Sequence, residues 1–529
     1  SGGTQVEGGA VYHADRSGAK TRILFTDRVM QESGEYDDGG SAKHEPGRLC
    51  RFCGAIHFGE PTHCGSCEKP GNSDLVRIQI LNSVNKVTSC PVCGYGAGFN
   101  PGKRADPFRA LTENTARNVY VMAQDMLSLA EPSGRKLIIF ADNRQDAAFQ
   151  AGSMRDNSRM FRLRQLILQY VRSQEELDKG ADGSIENLVD RLVADIQDDE
   201  ALARFVAPEV FEQSDEGKAG HKRREHLKRF IAIQVLNELS RPYTDRRSLE
   251  SLGKVLVRYV GLDPKSDGLQ DLAHKHGVKP TLLAPWLESL LHLARHRRSF
   301  THGLVPDLYA QSWDDKRNDL VAMRYVPDSD FRPGGLILTK EAENKDSKAG
   351  LQPFIGRNSA IEIWAKNGLG FTDPEKREAF LRDVWTYLVD DVKLLKRRQN
   401  LKWGNGKPIQ GTNNVAHVHG GAIVLTQSNQ RWSCSRCQRL HGHPTPGDAC
   451  TTYRCTGLLT KVDDEVEPRD YDLVLLSRRR DLNSFVMAEE HTAQVPKGRR
   501  QEIERRFKKG QGVNTLVATP TLELGVDIG

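Results

Sequence analysis

The chain has 529 residues, too many for one hydrophobic core, so several domains are expected. Hydrophobic residues make up 38% and aromatics 7%, enough for ordinary globular cores, and no run of 18 apolar residues occurs, which argues against a membrane-spanning helix. The formal net charge of +6 is too small to point to nucleic acid by itself, and the absence of a basic-then-apolar leader makes a cytoplasmic location the expectation.

Residues 1–48 are rich in Gly, Ser, Asp and Glu and read as linker or loop, apart from one strand candidate at 21–25. Residues 49–104 form a Cys-rich module. Cys50-x2-Cys53 and Cys64-x2-Cys67 stand ten residues apart, and four thiolates on two tight turns suit one tetrahedral Zn²⁺. Such a closed site is structural, replacing a core that a short segment cannot build. Cys90-Pro-Val-Cys93 is a third knuckle. The sequence leaves its role open: another pairing with the first four cysteines, recruitment of His57 or His63, or no metal. All ten cysteines fall in such close pairs, which favours zinc over disulfides in a chain with no export signal.

Residues 105–152 read as the first part of an α/β lobe: a helix over 116–129, a strand Leu137-Ile-Ile-Phe140, a polar turn, and a helix through Ala147, Ala148 and Ala151. Ligands of doubly wound sheets sit at the carboxyl ends of strands. Asn143 and Arg144 are therefore placed to touch a nucleic-acid backbone or a facing lobe, or Arg144 serves as a surface cap or an ion pair with Asp146.

Residues 153–300 read as a helical insertion. Leu163, Leu166, Ile167 and Tyr170 repeat at helical spacing, as do Leu252, Val255, Leu256 and Tyr259, and 282–293 with Trp286 form another amphipathic helix. The basic clusters, Arg155 to Arg164 and Arg295-His-Arg-Arg298 among them, read as solvated helix faces. Residues 301–400 are mixed, with strands over 321–325 and 335–338 and a helix opened by Thr372-Asp-Pro-Glu; a helix with a basic end followed by strands is compatible with a winged-helix module.

Residues 401–462 form a second Cys-rich β module, with Cys434-x2-Cys437 and Cys450-x4-Cys455 as a second structural zinc site. The wide final gap leaves room for His441 or His443 to replace one sulfur. His417 and His419 share one face of a strand and read as surface or hydrogen-bonded groups. Residues 463–529 return to the α/β lobe, with strands over 471–476 and 485–488 and a charged helix over 501–509. The last strand, Thr515-Leu-Val-Ala518, reads as fully buried and parallel. It breaks at Thr519-Pro-Thr521, whose hydroxyls and free N–H groups suit a phosphate. At Gly525-Val-Asp527, glycine permits close backbone approach to a ligand and Asp can accept from a sugar hydroxyl.

Three stretches, taken in order, resemble one family: Arg135-Lys-Leu-Ile-Ile-Phe-Ala-Asp-Asn-Arg-Gln-Asp-Ala-Ala-Phe-Gln-Ala-Gly152, Ala488-Glu-Glu-His-Thr-Ala-Gln494, and Thr515-Leu-Val-Ala-Thr-Pro-Thr-Leu-Glu-Leu-Gly-Val-Asp-Ile-Gly529. Together they look like the second RecA-like lobe of superfamily 2 helicases, in the large bacterial subgroup that includes repair helicases and DISARM phage-defence helicases. The motifs cover a small share of the chain and are specific in combination. The resemblance implies an α/β fold, a RecA-like parallel-sheet lobe interrupted by zinc-binding and helical insertions. It makes 136–152 motif IV and 515–529 motif V. Thr519 and the backbone around Thr521 would touch tracking-strand phosphates, Gly525 and Asp527 would face the ATP ribose, and Asn143, Arg144, His491 and Gln494 would border the nucleic-acid path.

No Gly-x4-Gly-Lys-Ser/Thr loop occurs, and no Asp-Glu-x-Asp/His box follows a strand. The expectation is a helicase half truncated after motif V, inactive alone, which uses ATP and Mg²⁺ only with a first lobe on the same parent chain or on a separate subunit. DNA and a repair or defence complex are its expected partners. The competing expectation is a non-enzymatic scaffold, in which the lobe is a relic and the zinc modules bind DNA or a defence-complex partner.

Overall fold

In a computed structural model the chain is described over residues 5–6, 9–10, 23–26, 44–67, 75–81, 115–176, 183–208, 210, 220–241, 248–297, 299–304, 334–339, 351–356, 359–398, 414–428, 430–437, 439–452, 455–462 and 485–519. The expected strands over 321–325 and 471–476 lie outside these residues, as do Cys90, Cys93, Thr521, Gly525 and Asp527. Among the described residues, no helix is long and apolar enough to cross a membrane.

The N-terminal part is a six-stranded antiparallel sheet of β1 (Gln5–Val6), β2 (Gly9–Ala10), β3 (Ile23–Thr26), β4 (His44–Cys50), β5 (Ile56–Phe58) and β6 (Leu75–Leu81), in the order β1-β2-β5-β4-β6-β3. β3 matches the strand expected at 21–25, while β1, β2 and most of β4 lie in a stretch whose composition reads as linker. β4, His-Glu-Pro-Gly-Arg-Leu-Cys, has little intrinsic strand preference. Pairing on both edges, Gly47 with Ile78 and with Phe58, overrides it. Gly47 is needed there, because a Cβ would come within 2.7 Å of His57 O and of Ile80 Cδ1.

The α/β part runs α1 (Thr115–Leu129), β7 (Leu137–Phe140), α2 (Arg144–Glu176) and, far along the chain, β18 (Ala488–His491), α10 (Lys497–Lys509) and β19 (Thr515–Ala518). Its sheet is all parallel in the order β18-β19-β7, with Val517 opposite Ile139 and Ala518 opposite Phe140. β19, the middle strand, is buried along its whole length, as an apolar run covered on both faces should be. Mixed α/β architecture around a parallel sheet is therefore observed. α2 is one helix of 33 residues, so the step from lobe to insertion expected near residue 152 falls inside a continuous helix.

The strand expected at 485–488 begins instead at Ala488. Phe485–Met487 is buried and held largely by side-chain amides: Val486 N–H donates to Gln124 Oε1 at 3.3 Å, Met487 N–H to Asn514 Oδ1 at 2.8 Å, and Asn514 Nδ2 to Phe485 O at 2.6 Å, while Met487 O accepts from the backbone N–H groups of Asn514 and Thr515 at 3.2 Å.

Between these halves lies a helical body of α2, α3 (Ile185–Gln197), α4 (Glu200–Val206), α5 (Gly220–Leu239), α6 (Asp267–His276) and α7 (Pro280–His296). Leu163, Leu166, Ile167 and Tyr170 are buried on α2 as their spacing predicts, and Trp286 is buried on α7. The second helical repeat is not a helix. Val255, Leu256 and Tyr259 belong to strand β8 (Val255–Tyr259), whose burial alternates and which pairs antiparallel with β14 (Ile423–Gln427). Apolar residues at i, i+3, i+4 and i+7 also satisfy much of a two-residue period in a short segment, and the partner strand more than 160 residues away decides between them. The arginine clusters are not all solvated either. Arg164 is buried on Glu238 at 3.0 Å, and Arg241 shares the same carboxylate at 2.9 Å.

A further, mixed sheet holds β9 (Phe300–Thr301), β10 (Gly335–Thr339), β11 (Leu351–Ile355), β12 (Leu395–Arg398) and β13 (Val415–His419), ordered β11-β10-β13-β12 with β9 also on β13. α8 (Ala360–Leu369) and α9 (Pro374–Thr386) pack beside it. α9 starts as its sequence predicts: Asp373 caps the N–H of Lys376 at 3.0 Å and Pro374 opens the first turn.

Candidate functional sites

Both cysteine quartets converge. In the first, β4 ends at Cys50 and the chain turns through Cys53. Gly54 closes the turn at φ +75°, its N–H donating to Cys50 O at 2.9 Å. Cys64 and Cys67 come from the next turn. Cys50 and Cys67 sulfurs stand 3.7 Å apart, and those of Cys53 and Cys64 3.5 Å. In the second, Cys434 ends β15 (Trp432–Cys434), which pairs with β16 (Leu440–His441) and β17 (Leu459–Lys461). The Cys434–Cys455 and Cys437–Cys450 sulfur pairs are 3.7 and 3.6 Å apart. Four thiolates at ~2.3 Å from a central ion in a tetrahedron stand about 3.8 Å from one another, while a disulfide would need about 2.05 Å. Both quartets thus fit a metal ion, with all ligand atoms of each within 4.8 Å.

Backbone donors face several of the sulfurs, although burial pushes the Cys53 thiol up and neighbouring sulfurs raise those of Cys450 and Cys455. Backbone N–H groups of Arg436, Thr452 and Gly457 point at Cys434, Cys450 and Cys455 sulfurs at 3.4, 3.4 and 3.5 Å. The N–H of Cys53 draws the Cys50 thiol down to about 7. The wide Cys450-x4-Cys455 gap needs no histidine substitute, because Cys455 itself reaches the cluster. His441 lies outside it, Nε2 3.6 Å from Cys450 Sγ, as His57 Nε2 lies 3.2 Å from Cys64 Sγ. Imidazoles so placed orient ligands rather than supply them.

At the carboxyl ends of the parallel strands the structure gathers Asn143, Arg144, Thr519 and His491, while Gln494 follows in the exposed turn after β18. Arg144 is exposed at the start of α2. Asn143 is its N-cap: Oδ1 accepts from Asp146 N–H at 2.9 Å and Nδ2 donates to Asp146 Oδ2 at 2.7 Å. The Asp146 carboxylate expected to pair with Arg144 is therefore engaged by Asn143. His491 is buried, its Nε2 2.7 Å from Glu504 Oε1 of α10, so it ties that helix to the sheet. Thr519 is buried just past β19. Beside this end lies a cavity of about 170 Å³ lined by Gly152 and Arg155 of α2, Glu489 and Glu490 of β18, and Arg499 of α10. Arg155 and Arg499 flank Glu489 at 4.0 and 3.7 Å.

A third cluster escaped sequence reasoning. Glu250, His292, Arg295, His296, Tyr259 and His443 meet inside the helical body, all buried or nearly so. Burial pushes the Glu250 carboxyl up, but Arg295 and His296 outweigh it and hold it well below the usual range. Burial drives His443 down to about 3 and, with His443 beside it, His292 well below its ordinary value, so both imidazoles are neutral. The only sequence signal was the spacing of His292 and His296 at i, i+4, a pair that the helix expected over 282–293 did not include. His417, expected as a surface or hydrogen-bonded group, is buried on β13.

Compared with known proteins, the chain matches no family model, no curated protein and no solved structure.

Proposed function

We propose that this chain is the second RecA-like lobe of an ATP-dependent DNA helicase or translocase, with two structural zinc ions in its cysteine quartets. The observation that carries the reading is the register of the parallel sheet: residues 137–140 and 515–518, far apart in sequence, lie side by side, and with 488–491 their strands end on the same side of the sheet. On this reading Arg144, Gln494, Thr519 and the backbone around Thr521 contact the strand phosphates. Asn143 and His491 act one step back, by fixing the start of α2 and the seat of α10. Gly525 and Asp527 face the ribose of an ATP whose phosphates and Mg²⁺ a first lobe holds. Four-thiolate donor sets with this spacing suit Zn²⁺, whose preference for tetrahedral sulfur matches the geometry.

The test joins the chain to a first RecA-like lobe, in cis or as a mixed subunit, and measures DNA-stimulated ATP turnover. Asp527→Ala should lower it by at least about tenfold, the loss of roughly 1.4 kcal/mol of stabilisation. Turnover unchanged by Asp527→Ala overturns the nucleotide role. The scaffold reading draws on the internal engagement of Asn143 and His491. It predicts DNA or partner binding with no ATP dependence in the joined protein.

A further inference from the structure

We propose a third metal site, for a zinc-class divalent ion, formed by Glu250, His292 and His443 inside the helical body. One donor atom of each lies within 4.8 Å of the others, and all three side chains are more than nine-tenths buried. Sequence places them far apart: Glu250 precedes β8, His292 is on α7, and His443 follows β16.

Two observations call for a cation. First, lone pairs outnumber hydrogens. Arg295 presents one NH2 group, with two hydrogens, to four acceptors: Glu250 Oε1 and Oε2 at 2.9 and 2.7 Å, His292 Nδ1 at 2.9 Å and His296 Nε2 at 3.4 Å. A neutral His296 does not relieve the shortage: its Nδ1 lies 2.7 Å from the Arg241 carbonyl and carries the proton, so Nε2, 3.3 Å from Glu250 Oε2, has a hydrogen to give only when the ring is protonated. Second, the opposite ring positions have nothing to bind. Among the described residues, His292 Nε2 and both ring nitrogens of His443 are buried without a hydrogen-bond partner. The two rings pack against each other with centroids 4.1 Å apart, and orphan nitrogens at their edges are costly unless a partner reaches them there.

The site is also built. His443 reaches Glu250 because Gly442 precedes it; a Cβ at 442 would come within 2.8 Å of Glu250 O and 3.0 Å of its Cγ. Tyr259 Oη, 3.3 Å from His292 Nδ1, can accept that nitrogen's proton when Nε2 binds metal, the usual outer-sphere arrangement for a ligating imidazole. The Arg295 contact to the same nitrogen serves the metal-free tautomer. A carboxylate offers about four lone-pair positions, so Glu250 can hold Arg295 and an ion together. The guanidinium repels the ion, so this site is weaker than the thiolate quartets and empties first. With every ligand buried, its role is to lock the 441–443 turn onto α7.

The purified chain, loaded with Zn²⁺ and desalted, should carry three ions by elemental mass spectrometry. One should leave to a mild chelator that spares the other two. Gly442→Ala and His443→Ala should carry two. A wild-type value of two, or three ions retained in both variants, overturns the site. Should the variants fail to fold, the wild type still decides. Co²⁺ added to protein already holding two Zn²⁺ should give visible ligand-field bands without sulfur-to-cobalt charge transfer. A cobalt spectrum with thiolate charge transfer, or none, rejects it.

Discussion

The Cβ of any residue but glycine at position 457 would overlap Cys434 Sγ and crowd Arg436. Gly457→Ala should therefore remove one metal ion per chain and loosen the β15–β17 sheet, while the N-terminal quartet keeps its ion. Metal content and hydrogen exchange at 432–461 measure this, and an unchanged ion count contradicts the assigned geometry. His417 makes a pH prediction. It is buried and neutral, with burial and then Arg398 lowering it to about 3 against an ordinary value near 6.5. Its folded value lies below its unfolded value, so the unfolded chain binds the extra proton first on acidification. The stability from keeping His417 neutral is complete above about pH 6.5 and falls as pH drops toward 3, by up to ~1.4 kcal/mol per unit. His417→Gln should flatten that slope in denaturant titrations between pH 6.5 and 4; an equal slope refutes it.

Elements depend on a few such groups. Ser359 caps α8 by accepting from Glu362 N–H at 3.0 Å and also donates to Phe354 O of β11 at 3.1 Å, so one hydroxyl joins a helix to a strand. Ser359→Ala should cost about 1 kcal/mol, read as a shift in unfolding midpoint. Asn514 does more, because its amide bonds Phe485 and Met487 in the segment before β18. Asn514→Ala should cost about 1–3 kcal/mol. It should also raise exchange at 485–491 before other regions, and uniform exchange would show that the amide does not hold the edge of the sheet. Helix starts such as Asp373-Pro374 were legible because caps are local chemistry. The strand at 255–259 was not, because two periods fit five residues and only β14 breaks the tie.

Across the whole molecule, cysteine spacing marked the two quartets as candidate metal sites, since a knuckle is a local turn, while the tertiary structure showed that Cys455 and not a histidine completes the second. Sequence also marked Leu137–Phe140 and Thr515–Ala518 as strands from their continuous apolar runs, although only Thr515–Ala518 is buried throughout and Phe140 is exposed. Their pairing across more than 370 residues, the burial of Arg164, Arg295 and His417, and the meeting of Glu250, His292 and His443 were decided only by the tertiary structure. A charged or imidazole side chain reads as solvated until its partner is known. Here the partners stand on other helices and strands, where no sequence period can reveal them.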